Sequence, residues 1–255
     1  MKTALITGAT SGIGEATALV LAKNGVNVIV SGRRQERLNE ISAKINQDGK
    51  AGVLTLKMDV TSRKDVELAF HYLPDEWKAI DILVNNAGLA VGLDPFQEGN
   101  IDDWEQMIDT NIKGLLYVSR AVVPLMIARG KGQIINIGSI AGKEVYPKGN
   151  VYCATKHAVD AITKAMRIDL IGTGIKVSQI CPGLVETEFS KVRFKGDEER
   201  AAKVYQGYKP LAAEDIANIA WYLTTLPEHV CINDLVVTPL AQANSTIVDK
   251  NQQSA

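Results

Sequence analysis

Short runs rich in β-branched residues alternate with longer helical patterns along the whole chain. The strand candidates are Thr3–Thr7, Asn27–Ser31, Val53–Met58, Ile80–Asn85, Gln133–Gly138, Ile175–Ile180 and Asp234–Thr238. Helical patterns occupy 13–24, 34–47, 63–73, 102–129, 151–172 and 213–226. Such alternation predicts an α/β fold, a parallel sheet with helices on both faces. Several strands are almost wholly apolar, as strands covered on both faces should be. No repeat, low-complexity stretch or linker interrupts the pattern.

With 255 residues, 46% of them apolar, the chain can build a substantial core. Its net charge of −1 offers no basic footprint for nucleic acid. The apolar runs are short, so no membrane-crossing helix is expected. Met1–Thr7 runs straight into a glycine-rich turn, which reads as a strand and not a secretory leader. Cys153, Cys181 and Cys231 are scattered, make no metal spacing and point to a reducing compartment. His71, His157 and His229 form no cluster. The expectation is a cytoplasmic enzyme that works without a metal.

The first strand ends in Thr7-Gly8-Ala9-Thr10-Ser11-Gly12-Ile13-Gly14. Glycines let a backbone turn tightly and approach a pyrophosphate, and the helix that follows offers free N–H groups and the positive end of its dipole. The spacing is G-x3-G-x-G, not the commoner G-x-G-x-x-G. Its place at the first strand–helix junction makes it a dinucleotide site, with Gly8, Thr10, Ser11, Gly12, Ile13 and Gly14 as candidate contacts. The second strand ends Ser31-Gly32-Arg33-Arg34. An acid at this point would hold an adenosine 2′-OH, whereas an arginine accommodates a 2′-phosphate. That predicts NADP(H) over NAD(H). Arg33 would stack on adenine and pair with the phosphate, and Ser11 and Arg34 are weaker phosphate candidates. The rival reading is that both arginines merely cap a solvated helix start.

Tyr152 and Lys156 stand four apart on a predicted helix, so they share a face. A free phenol titrates near 10, and an ammonium one turn away favours the phenolate. Ser139, thirteen residues upstream, adds a hydroxyl for a substrate oxygen. The three suit proton transfer at an alcohol or carbonyl oxygen. A Tyr-x3-Lys pair alone also occurs on ordinary surface helices.

The glycine turn, Asn85-Asn86-Ala87-Gly88, Asn111, Ser139, Tyr152-x3-Lys156 and Pro182-Gly183-Leu184-Val185-Glu186-Thr187 occur in the order and spacing of the short-chain dehydrogenases/reductases. The chain resembles that family over nearly its whole length. Asp109–Gly114, Ile135–Gly142, Gly149–Tyr152 and Val192–Asp197 look closer to the NADP-dependent 3-hydroxy acid (serine/allo-threonine) dehydrogenases and the sulfoacetaldehyde reductases. The resemblance implies a single Rossmann-type doubly wound domain with a seven-stranded parallel sheet over 1–255. Its dinucleotide-binding part would span about 1–140, a substrate lid about 188–208 and a C-terminal tail 239–255.

The resemblance also assigns roles. Asp59 and Val60 would contact adenine, although Asp59 also suits a helix cap. Asn85 would contact the adenine ribose, with Ala87 and Gly88 letting the chain pass close by. Asn111 would distort its helix and complete a proton relay. Ser139 would donate to the substrate carbonyl, Tyr152 would be the acid/base, and Lys156 would hold the nicotinamide ribose and lower the Tyr152 pKa. Pro182, Gly183, Val185 and Thr187 would close over the nicotinamide, unless Pro182-Gly183 is a plain post-strand turn.

In the lid, Arg193 is the main candidate for a carboxylate or sulfonate, or else one charge on a solvated loop. Gly149 and Asn150 would line the same pocket, and Tyr146 would line it or pack beneath the loop. Gln242 resembles a C-terminal residue that reaches a substrate oxygen, in some relatives from an adjacent subunit. The tyrosine that often follows it in those relatives is missing here. The expected function is an NADP(H)-dependent oxidoreductase of a small anionic hydroxy or carbonyl substrate, assembled as a homotetramer or a dimer. The alternatives are sulfoacetaldehyde reduction, 3-oxoacyl thioester reduction, and an NADP(H)-sensing regulator without turnover.

Overall fold

The computed structural model describes residues 1–251; the last four residues of the 239–255 tail lie outside the described residues. The strands are β1 (Thr3–Ile6), β2 (Asn27–Gly32), β3 (Val53–Lys57), β4 (Ile82–Asn85), β5 (Gly132–Ile137), β6 (Ile175–Pro182) and β7 (Asp234–Val237). They form one sheet in the order β3-β2-β1-β4-β5-β6-β7, and every pair is parallel. Chain order reverses between β1 and β4. In an open parallel sheet that reversal leaves a crevice beyond the carboxyl ends of the strands.

Helices α1 (Gly12–Lys23), α2 (Gln35–Asp48) and α9 (Ala213–Thr225) cover one face. Helices α3 (Arg63–His71), α5 (Leu115–Arg129) and α6 (Asn150–Asp169) cover the other. Successive strand residues point to opposite faces, so Ile6, Val28 and Val30 pack under α1 and α2, and Leu5, Ile29 and Leu83 pack under α5. Each fully buried Leu or Ile contributes about 2 kcal/mol, and both layers are needed because both faces of the sheet are apolar.

The expected helix over 102–129 is not continuous. It divides into α4 (Ile101–Ile108), a π-helical segment Asp109–Gly114, and α5. By length and composition Ile101–Arg129 is apolar enough to cross a bilayer, contrary to the expectation of no such segment. In the fold, Val118, Val122 and Met126 of this stretch are buried against the sheet. β4 begins two residues later than expected, at Ile82. The expected lid contains two short helices, α7 (Phe189–Arg193) and α8 (Glu198–Lys203). Up to residue 251 the tail is tied to its own chain. Asp249 donates to the Ala241 carbonyl at 2.9 Å, Ala243 donates to that of Ile247 at 3.0 Å, and Lys250 Nζ reaches the Lys203 carbonyl at 3.4 Å.

Candidate active site

The carboxyl ends of the strands and the 188–208 segment enclose a cleft of about 620 Å3, a size that suits a cofactor and a small molecule. The glycine turn forms its floor. Gly8 (φ +63) and Gly12 (φ +53) adopt left-handed backbone, open to glycine at little cost. Gly14 needs its missing side chain for space: a Cβ there would lie 2.3 Å from the Gly8 carbonyl oxygen. Asn86 Nδ2 donates to the Thr7 and Gly8 carbonyls at 2.9 and 3.1 Å, tying the turn to β4. Ser11, at the N-cap of α1, makes no side-chain cap bond. Its hydroxyl and the first N–H groups of the helix remain as donors at the cleft, a fit for a phosphate. Thr10, Ser11, Gly12 and Ile13 line the cleft, and Gly14 lies behind them.

The two arginines divide. Arg34 donates to Thr10 Oγ1 at 3.0 and 3.2 Å and to the Thr10 carbonyl at 3.1 Å, and its Nη1 pairs with Glu188 at 3.2 Å. Its donors are thus spent on the turn and the lid. Arg33 is exposed at the cleft and makes no ion pair among the described residues. It is the cation left for a 2′-phosphate. Asp59, Val60, Ala87 and Gly88 line the cleft. The Asp59 carboxylate accepts from Thr61 N and Oγ1 at 3.0 and 2.8 Å, and the cap of α3 is Ser62. Asn85 does not face the cleft, contrary to its expected ribose contact. Its Nδ2 donates to Ser119 Oγ and Asn136 Oδ1, both at 2.9 Å, which turns the side chain into the sheet–helix core.

Tyr152 and Lys156 occupy the first two turns of α6, buried and facing the cleft below Ser139. Burial pushes the Tyr152 phenol well above its ordinary range; the Tyr146 phenol adds to the rise, and the Ser139 hydroxyl and the Arg193 guanidinium oppose it. Lys156 was expected to lower this pKa, but its ammonium is directed at the Ile137 carbonyl, 3.0 Å away. Burial brings Lys156 itself down to about 8. Ser139 Oγ accepts from Ala141 N at 3.1 Å, which leaves its O–H free to donate. Asn111 sits in the π-helical segment, and π turns recur at functional sites. Its amide accepts from Leu89 N at 2.8 Å and donates to the Leu89 carbonyl at 2.9 Å and to Thr155 Oγ1 at 3.0 Å. Asn111 Oδ1 and Lys156 Nζ lie 3.2 and 3.5 Å from where a Cβ on Gly88 would sit, so Gly88 keeps the path between them open.

Above the phenol lies Arg193, at the end of α7. Its guanidinium carbon is 5.6 Å from the Tyr152 ring centroid and 5.3 Å from that of Tyr146. Arg193 Nε and Nη2 are buried with no hydrogen-bond partner. Pro182, at the end of β6, and Gly183, Val185 and Thr187 beyond it line the cleft. Asn150 does not line it: its Nδ2 donates to the Asp94 carbonyl at 3.1 Å, beside a smaller hollow shared by Tyr152 and Arg193. Gln242 lines the cleft of its own chain, but both ends of its amide are engaged. Oε1 accepts from Leu184 N at 2.9 Å, and Nε2 donates to the Asn244 carbonyl at 3.1 Å. In this geometry Gln242 braces the Gly183-Leu184 loop.

A family model described as short chain dehydrogenase matches residues 2–198. The chain belongs to the short-chain dehydrogenases. It is 49% identical over 240 residues to the NADP-dependent 3-hydroxy acid dehydrogenase YdfG of Salmonella typhi, covering 94% of this chain and 95% of that one. It is 44% identical over 252 residues to the NADP-dependent 3-hydroxy acid dehydrogenase of Schizosaccharomyces pombe, covering 98% and 97%. Among solved structures, it superposes on the closed form of serine dehydrogenase complexed with NADP+ with a TM-score of 0.92 and 47% identity, over 96% and 98% of the chains.

This dehydrogenase carries cleft residues that the sequence reading did not assign. Phe189 packs edge-on to Tyr152 with ring centroids 5.7 Å apart. Tyr205 donates to the Val185 carbonyl at 2.9 Å and lies 2.7 Å from Ser190 Oγ, binding the lid to the loop after β6. Four aromatic residues within 189–208, Phe189, Phe194, Tyr205 and Tyr208, were the available signal, since aromatic side chains in a polar loop need something to pack on.

Proposed function

We propose that the protein is an NADP(H)-dependent dehydrogenase of small 3-hydroxy acids. The observation that carries the substrate class is Arg193, a guanidinium with two buried, unpaired N–H groups stacked over the candidate acid/base. Leaving charged donors buried and unpaired is costly, and a carboxylate takes a planar pair of such donors. The names of the two 3-hydroxy acid dehydrogenases support the same class.

NADP(H) supplies or takes the hydride. The α1 N-terminus, Ser11 and the glycine turn would hold its pyrophosphate, Arg33 its 2′-phosphate, and Lys156 its nicotinamide ribose. Burial favours the neutral Tyr152 phenol, the form that would donate to the carbonyl oxygen in reduction; in oxidation its phenolate, favoured by Ser139 and Arg193, would take the alcohol proton. Ser139 O–H donates to the same oxygen. Asn111 holds the segment between Leu89 and Thr155 in register with Lys156. Arg193 fixes the acid end of the substrate, converting binding energy into orientation at the reacting carbon.

The protein is further proposed to be a cytoplasmic homotetramer. In support, Ala161, Ala165 and Ile168 on α6 and Leu116 and Ile127 on α5 point outward, apolar faces suited to symmetric pairing. Size-exclusion chromatography with light scattering tests this, and a stable monomer would contradict it.

The functional test is a steady-state absorbance screen with NADP+ and NADPH. It covers L-serine, L-allo-threonine, 3-hydroxypropionate, 3-hydroxyisobutyrate, isethionate and sulfoacetaldehyde, with a 3-oxoacyl thioester as a neutral bulky control. The 3-hydroxy carboxylates are expected to win by kcat/KM. If sulfoacetaldehyde wins by about ten-fold or more, or about 1.4 kcal/mol, the anion is a sulfonate. If the thioester wins, the Arg193 reading fails. Absence of turnover on every compound, with NADPH still bound, would indicate a sensor.

A further inference from the structure

We propose that Asp103 is a positioning residue for Arg193, acting through Lys195 to hold the end of the lid against α4; this rests on the reading of Arg193 as the substrate's anion ligand. With Nε and Nη2 unpaired, the guanidinium rests on the Tyr146 and Tyr152 side chains. Its place therefore follows from where the backbone at 193 is fixed. Outside the lid's own turns, two contacts fix it. Gly92 N donates to the Arg193 carbonyl at 3.0 Å. Two residues on, Lys195 Nζ pairs with Asp103 Oδ2 at 2.8 Å.

These contacts meet at one point. Gly92 has φ +73, and a Cβ there would lie 3.2 Å from Asp103 Oδ2, so the carboxylate lies against the peptide that holds Arg193. Lys195 has φ +53 and is one of only two non-glycine residues in left-handed backbone among the described residues. That conformation is set by the end of α7 itself, where Gly196 N donates to the Lys191 carbonyl at 2.9 Å and Lys195 N to the Val192 carbonyl at 3.1 Å, and the turn leaves the Lys195 side chain paired with Asp103. The Asp103 side chain is 13% exposed while Lys195 is 57% exposed, so water competes weakly for the carboxylate and reaches the ammonium. Asp103 lies in α4, which runs into the π-helical segment bearing Asn111. One short helix thus supports both the substrate's anion ligand and the Asn111–Lys156 side of the centre.

The test uses the intact enzyme at saturating NADP+ with 3-hydroxypropionate and its uncharged analogue 3-hydroxypropanamide. Asp103→Asn keeps the backbone N–H that the Asn100 cap uses, and Lys195→Met removes the other partner from the surface side. Each is expected to raise KM for the acid about three- to ten-fold, with kcat little changed and the amide's KM unmoved. Added to Arg193→Met, Asp103→Asn should have no further effect. If Arg193→Met raises the acid's KM and neither partner variant does, Asp103 has no positioning role. Equal increases for acid and amide would mean a structural defect and would also overturn the proposal. If Arg193→Met itself leaves the acid's KM unchanged, the anion reading fails and this proposal fails with it. Lys195→Met decides the matter alone should Asp103→Asn not fold.

Discussion

Replacing Lys156 with Met should abolish turnover and stabilise the cofactor-free protein. Burial lowers the Lys156 pKa from 10.5 to about 8. At 1.4 kcal/mol per pH unit, holding the charged form in the folded state at neutral pH costs about 3 kcal/mol. Met fills a similar volume without charge. It loses the 3.0 Å bond to the Ile137 carbonyl, worth about 1–2 kcal/mol. The net gain is about 1–2 kcal/mol, or about 2–8 °C in Tm for a domain of this size. The sign has a pH signature. Below pH 8 Lys156 is protonated in both folded and unfolded chains, and the whole penalty is present. Between 8 and 10.5 the unfolded chain holds more protons, so wild-type stability rises with pH. The advantage of Lys156→Met should therefore be largest below pH 8 and shrink towards pH 10. Urea denaturation of both proteins from pH 6.5 to 9.5 measures it. A variant less stable than wild type at pH 7, or an advantage that does not change with pH, would refute the burial argument.

Three further outcomes are expected. Arg33→Ala should lower kcat/KM for NADPH about ten-fold or more while leaving NADH nearly unchanged, because Arg34 is already committed to Thr10 and Glu188; equal losses for both cofactors would remove Arg33 from phosphate recognition. Gly14→Ala places a Cβ 2.3 Å from the Gly8 carbonyl oxygen and should destabilise by about 2 kcal/mol or more in chemical denaturation, with weakened cofactor binding. Arg193 favours the Tyr152 phenolate, so Arg193→Met should move the pH-dependent limb of alcohol oxidation to higher pH; a limb that stays put or moves down would contradict that coupling.

What the sequence reveals and what it hides have separate physical origins. The strands and the glycine turn are legible because apolar runs and backbone conformation are local properties; all seven strands fall where the pattern places them, within two or three residues. The sequence ranks Arg33 above Arg34 by position alone and does not show what engages Arg34. The approach of Thr10 and Glu188, distant along the chain, supplies the physical reason by engaging Arg34. Asn85 and Asn86 are neighbours pointing to opposite sides of β4, and family resemblance assigned the ribose to the one that faces the core. The Tyr152 pKa failed for another reason: helical spacing shows that Lys156 shares a face with the phenol, but not how dry that face is or that Ile137 takes the ammonium. The π-helical segment carries only a weak local signal: Asn111 and Gly114 are poor helix formers, but the residue least suited to a helix interior, Pro124, lies outside the segment, in α5.

That π segment has a consequence for how the chain tolerates change. An α-helix turns about 100° per residue. Deleting one residue between Asp109 and Gly114 could restore an unbroken helix, yet it would rotate α5 by about that angle relative to α4. Val118, Val122 and Met126 would then leave the sheet, or Asp103 and Met107 would turn away from the substrate side. The wide turn is thus a phase correction between two surfaces that need different faces of one rod. Single-residue deletions in 109–114 should be tolerated far less than deletions of equal size in the exposed loop 49–52 between α2 and β3, although both remove only one residue.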